Sequence, residues 1–224
     1  MVANVGESTA ALTCRCGRDR ITLADPTMRS RIHCLCYDCR QRPLIAGKKR
    51  PEFPLPDVFV NDERGADVAY FANVLLLDDS SRLLLVLGKL RRASETLTAW
   101  TTCCETPMCS HPFYAGNGIL VSAAVCQVST AFPVKQQFYD FVSDFPAEKV
   151  AALSLPLPRA VDESPAEIEE DFMKAFLAAV EAPIPPHCRA APYTTFEELC
   201  ARKPIHVDDV CYDESRCRDG RRIE

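Results

Sequence analysis

The chain has 224 residues, 47% of them hydrophobic, with a net charge of −5 and thirteen cysteines. That length suits one domain with an extension or two small domains, and the apolar fraction is enough for a true core. No run approaches the roughly 20 apolar residues of a membrane span, and the N-terminus shows neither the apolar stretch of a signal peptide nor the Arg-rich start of a transit peptide, so the expectation is a soluble cytoplasmic or nuclear protein with no membrane contact.

Charge is unevenly spread. Residues 1–50 carry ten Lys or Arg against four Asp or Glu, and the remainder carries sixteen against twenty-seven. The basic part coincides with the first two cysteine clusters. Its arginines either balance metal-bound thiolates or form a pocket for an anionic small molecule. No basic stripe interleaved with aromatics is present, which argues against nucleic acid.

In chain order, residues 8–13 read as a strand running into Cys14-Arg15-Cys16-Gly17, where Gly17 can take positive φ and fold the backbone around an ion. Residues 18–23 run onward, Asp25-Pro26 marks a bend, and residues 29–35 lead into Cys34-Leu35-Cys36-Tyr37-Asp38-Cys39-Arg40. Residues 42–56 hold four prolines and the basic run 47–50, and read as an exposed loop. Residues 68–77, 83–90, 95–104 and 118–128 are strand candidates separated by turn residues, which predicts an antiparallel β-domain over residues 8–130. On the third of these strands Cys103 and Cys104 would face opposite ways unless a bulge brings them round.

Beyond residue 130 the pattern turns helical. Phe138, Phe141, Val142 and Phe145 have near-helical spacing. Ser164-Pro165-Ala166-Glu167 forms a capping box ahead of the stripe Ile168, Phe172, Phe176, Val180, which Pro183 ends. Thr195 opens a shorter helix. Residues 131–224 are therefore expected to be a mostly helical extension, offering a docking face to a protein partner.

The cysteines carry the chemistry. In a chain without an export signal, clustered thiols read as metal ligands rather than disulfides. Spacing alone offers Cys14, Cys16, Cys34 and Cys36 as one closed site, but that leaves Cys39, Cys103 and Cys104 unexplained. A thioredoxin-like pair at Cys36 and Cys39 would need to open a helix in a βαβ unit, which the pattern does not suggest. His33 reads as a solvated flank, and His187-Cys188 as a weaker metal pair.

The order C-x-C-G, C-x-C-x-x-C-R, then Trp100 to Pro107 as Trp-Thr-Thr-Cys-Cys-Glu-Thr-Pro, resembles the glutathione-dependent formaldehyde-activating enzyme and centromere protein V family. The resemblance covers roughly residues 8–130. It implies zinc-stapled antiparallel sheets arranged as a β-tent, with one or two zinc ions per chain and two favoured. A structural zinc would use Cys14 and Cys16 with Cys103 and Cys104. A second zinc would use Cys34, Cys36 and Cys39 with its fourth position open. There glutathione, or another small anionic thiol, would meet an aldehyde in carbon–sulfur lyase chemistry. Arg40, the one candidate for a catalytic role, reads either as a charge-balancing hydrogen-bond donor to the thiolates or as a clamp for a substrate carboxylate. The other reading is a non-catalytic zinc-stabilised interaction module. Three departures stand out: Thr101 occupies the place of the first cysteine in the family's C-x-x-C-G-T, Glu105 replaces its glycine, and Leu35 replaces a histidine.

Overall fold

The computed structural model describes residues 10–53, 65–90, 94, 96–112, 116–122, 127–128, 134–144, 147–153, 157–159, 168 and 170–207. Among these the chain runs β1 (Ala10–Thr13), β2 (Arg20–Leu23), β3 (Ser30–Cys34), α1 (Tyr37–Lys49), β4 (Ala66–Ala72), β5 (Leu75–Leu76), α2 (Asp79–Leu84), β6 (Leu85–Lys89), β7 (Thr96–Thr101), β8 (Pro107–Pro112), β9 (Gly118–Ser122) and β10 (Gln127–Val128). It continues with β11 (Tyr139–Asp140), α3 (Ala147–Ala151), α4 (Glu170–Val180), β12 (Tyr193–Thr194), α5 (Phe196–Cys200) and β13 (Ile205–Val207).

The fold is mainly β, with few and mostly short helices. A five-stranded sheet has the order β10-β1-β2-β5-β12, and an eight-stranded sheet the order β11-β3-β4-β9-β8-β7-β6-β13. Neighbours are antiparallel except β11 with β3 and β13 with β6.

Period-two alternation places the core. In β4, Ala69 and Phe71 join Leu12, Ile21 and Leu23 of the five-stranded sheet in one buried cluster, so that face looks at the other sheet. Val68 and Tyr70, alternating with them, point to the opposite face and pack with Ile32, Phe138, Phe176 and Val180. The apolar stripe of α4 thus lies on the eight-stranded sheet. Phe176 meets both Tyr70 and Phe138 edge to face, at 5.5 and 5.1 Å between ring centroids. Burying each such side chain contributes about 2 kcal/mol.

Several sequence expectations are corrected. Residues 42–49 are not loop but the body of α1, which carries Pro43 inside it. The proline has no N–H for the carbonyl four residues back, yet the helix continues on tertiary packing. Asp79–Leu84 is helical, so the strand expected over 83–90 begins only at Leu85. The strand expected over 95–104 ends at Thr101, with residues 102–104 in a turn. Residues 134–144 hold β11 and a 3-10 turn at Val142–Asp144, and α3 is only a short helix. The capping box at 164–167 lies outside the described residues. Among the described residues no helix is long and apolar enough to cross a membrane.

Downstream segments tie into both sheets. α5 is closed by a capping box between Thr195 and Glu198. Phe196 N donates to the buried Asn73 Oδ1 at 2.9 Å, and Asn73 Nδ2 donates to both Glu197 oxygens at 3.1 and 2.9 Å. His111 Nε2 lies 2.6 Å from the same carboxylate. Burial pushes Glu197 up, but the contact with His111 more than offsets it and holds the pKa at about 2. A depressed folded pKa contributes stability above the unfolded value, lost as pH falls through the folded one. Melting curves at pH 7 and pH 3 should therefore show wild type losing about 1 kcal/mol more than Glu197→Gln, a figure discounted for a half-exposed side chain. Equal losses would sever Glu197 from the acid response.

Candidate metal centres

The first centre is made by two turns from different sheets. After β1 the chain turns through residues 14–18, closed by Gly17 N donating to Cys14 O at 2.9 Å, with Gly17 at φ 76°. That positive φ is what a glycine supplies here. After β7 a second turn is closed by Glu105 N to Thr101 O at 2.9 Å, with Glu105 itself left-handed at φ 53°. Because β7 ends at Thr101, after a register shift against β8 between Ala99 and Trp100, the rule of opposite faces no longer applies to Cys103 and Cys104, which converge in the turn.

Four sulfurs result. Cys14 Sγ lies 3.5 Å from Cys16 Sγ and 3.7 Å from Cys103 Sγ; Cys16 to Cys103 is 3.4 Å, and Cys103 to Cys104 is 3.8 Å. All four ligand atoms lie within 4.8 Å of one another. A tetrahedron of sulfurs about 2.3 Å from a central ion has edges of about 3.8 Å, whereas a disulfide needs about 2.05 Å. The spacing fits a shared ion, and this group could hold one.

The surrounding bonds fix those sulfurs. Thr106 Oγ1 is 3.0 Å and Thr101 Oγ1 3.4 Å from Cys104 Sγ, so both hydroxyls are hydrogen-bond partners of that sulfur. Asp19 N donates to Cys14 Sγ at 3.3 Å. The Arg15 guanidinium reaches the carbonyls of Ala46 and Cys104 at 3.0 and 2.7 Å. Burial raises Cys104, yet the hydroxyls of Thr101 and Thr106 bring it down to about 6. Burial pushes Cys103 and Cys14 upward.

The second centre sits on the other face of the eight-stranded sheet, where β3 ends and α1 begins. Cys34 closes β3, Cys36 is the N-cap of α1, and Cys39 lies in its first turn. Cys36 Sγ accepts from Cys39 N at 3.3 Å, a thiol in the place where serine usually caps. The helix N-terminus favours negative charge, and so thiolate. The three sulfurs lie within 4.8 Å of one another and could hold a metal ion; no fourth Cys, His, Asp or Glu joins the group among the described residues. Hydrogen bonds from Cys34 and Cys36, with Arg42 beside it, hold Cys39 well below the ordinary thiol value, while Cys34 is driven up by its bonds to Cys36 and Cys39.

Cys36 and Cys39 do open a helix, contrary to the sequence expectation. The strands flanking it, β3 and β4, are antiparallel, so no βαβ unit is formed.

Arg40 is buried and sends Nε to Leu35 O at 3.0 Å and Nη2 to Asp144 O at 2.9 Å, fastening α1 to the 3-10 turn. Arg42 donates to a thiol: Nη1 lies 3.4 Å from Cys39 Sγ, and Nε 3.0 Å from Thr98 Oγ1. The sequence hides this role because its signal is an i, i+3 relation on a helix whose Pro43 makes the segment look like loop. His33 is buried rather than solvated, edge to face with Tyr139 at 5.2 Å. His187 and Cys188 belong to no group of three or more possible ligands among the described residues.

No family model, curated protein or solved structure matches this chain.

Proposed function

We propose that the chain is a two-zinc protein of the β-tent kind. In this reading Cys14, Cys16, Cys103 and Cys104 hold a structural ion, and Cys34, Cys36 and Cys39 hold a second ion with one position open to a small thiol. The observation that carries it is the inequality of the two groups, four thiols against three among the described residues. A four-sulfur site is closed, and a three-ligand site is what zinc chemistry requires. Sulfur-only donor sets favour zinc among common divalent ions.

When bound, the second ion would keep an incoming thiol as thiolate, the nucleophilic form. The chain's own contribution is to hold Cys39 charged with Arg42 and the N-terminus of α1. The reaction that fits is addition of the glutathione sulfur to an aldehyde carbon: a carbon–sulfur bond forms, the carbonyl π bond opens, and the thiol proton ends on the oxygen. The reverse is a carbon–sulfur lyase reaction.

Zinc per chain on purified protein, with and without millimolar glutathione, tests this. The expected result is two zincs, with one of them exchanging faster or being perturbed by glutathione. Two zincs indifferent to glutathione would favour the non-catalytic interaction module, and one zinc would remove the second centre.

A further inference from the structure

Beside the second centre is a small cleft between α1 and the strands β4, β8 and β9. It is walled by Pro43, Ala66 and Leu120 on its apolar side and by Cys39, Arg42 and Ser110 on its polar side. Its room is about 30 Å³, enough for two or so waters. A tripeptide cannot enter it; a group of two or three heavy atoms can.

Arg42 is the unusual wall. It is 9% exposed, and its guanidinium is held at two of three nitrogens. Thr98, which accepts from Nε, is itself buried and bonded to Ser110 at 2.9 Å, so the guanidinium is held from behind. The third nitrogen, Nη2, has no acceptor among the described residues. A buried guanidinium with a spare donor, lining a cleft, is matched by an anionic oxygen, and a carboxylate fits its planar geometry best. Nη1 contacts Cys39 Sγ, so an oxygen held by Nη2 lies only a few bonds from whatever the three thiols hold.

We propose that this cleft is a subsite for a compact carboxylate of two or three carbons, anchored by Arg42, whose second functional group reaches the three-thiol centre. This rests on the open-position reading above. It sets the charge of the small reactant: an acid-bearing thiol or aldehyde is preferred over a neutral one.

The test uses full-length protein loaded with cobalt(II), whose thiolate charge-transfer bands report on the second centre, titrated with mercaptoacetate and with 2-mercaptoethanol. On binding, either thiol releases its proton to solvent. Mercaptoacetate should bind at least tenfold more tightly, Arg42→Gln should bring the two within twofold, and Arg42→Lys should fall between. Leu120→Phe, which narrows the cleft from the β9 side and leaves Arg42 in place, should abolish the preference too. Equal affinities in wild type, a preference that survives Arg42→Gln, or cobalt stripped by mercaptoacetate without a bound complex would each overturn the proposal. Failure of the chain to take up a second cobalt would instead overturn the three-thiol centre, and the subsite with it.

Discussion

Loss of the four-thiol centre, through a chelator or through Cys103→Ser, is expected to lower the melting temperature by roughly 10–20 °C. The two turns that meet there belong to different sheets, and Cys14 and Cys103 are 89 residues apart in the chain. An ion at this point closes a long loop and clamps the five-stranded sheet onto the eight-stranded one, where loop-closure entropy makes a cross-link most effective. Structural zinc contributes about 10–16 kcal/mol in peptides that have little else. Here the shared core of Leu12, Ile21, Phe71 and their neighbours persists, so a net loss of about 5 kcal/mol is the appropriate scale. At roughly 2–4 °C per kcal/mol for a chain of this size, the shift follows. Cys36→Ser is the control. Its three thiols lie within one β3–α1 corner, close no long loop, and should cost one ion with only a small fall in melting temperature. A Cys103→Ser protein that melts with wild type would dismiss the first centre as a clamp.

The same geometry explains what could be read from the sequence. The strand over residues 68–72 was legible from its composition, because β4 is buried on both faces and so reads as a continuous apolar run; the stripe Phe172, Phe176, Val180 was legible because it follows one period against one buried face. The thiol clusters were legible as candidate metal ligands because few other roles need so many sulfurs. Which cluster joins which was not legible from spacing, since the pairing of residues 14 and 16 with 103 and 104 is a tertiary contact between sheets; it came from a resemblance in motif order. Pro43 hid α1, and hiding α1 hid Arg42. β11, β12 and β13 are two or three residues long, too short to show any period. The turn that lets Cys103 and Cys104 converge depends on a left-handed Glu105, a conformation no propensity would assign to glutamate.

Gly65→Ala is expected to empty the second centre while sparing the first. Gly65 is not there for a left-handed turn; it is there for space. A Cβ at this position would stand 2.4 Å from Leu35 Cδ2, 2.5 Å from Cys34 O and 3.0 Å from His33 Cδ2. Leu35 cannot simply swing away, because it is fully buried against Tyr139 and Val142. The Cys34 carbonyl is backbone, so relief must come from moving the end of β3, where Cys34 is paired with Ala66. That movement carries Cys34 Sγ off its partners on α1, and three-thiol sites tolerate displacements of only a few tenths of an ångström. Overpacking of this kind costs about 1–3 kcal/mol, so the melting temperature should fall by roughly 2–12 °C. Competition against a chromophoric chelator should show one ion held as in wild type and the other weakened at least tenfold. Gly116→Ala supplies the comparison, because nothing lies within 4 Å of a Cβ there and neither ion should respond. Two ions held with wild-type affinity in Gly65→Ala would mean that Cys34 is not a ligand, and the second centre would shrink to a pair of thiols at a helix cap.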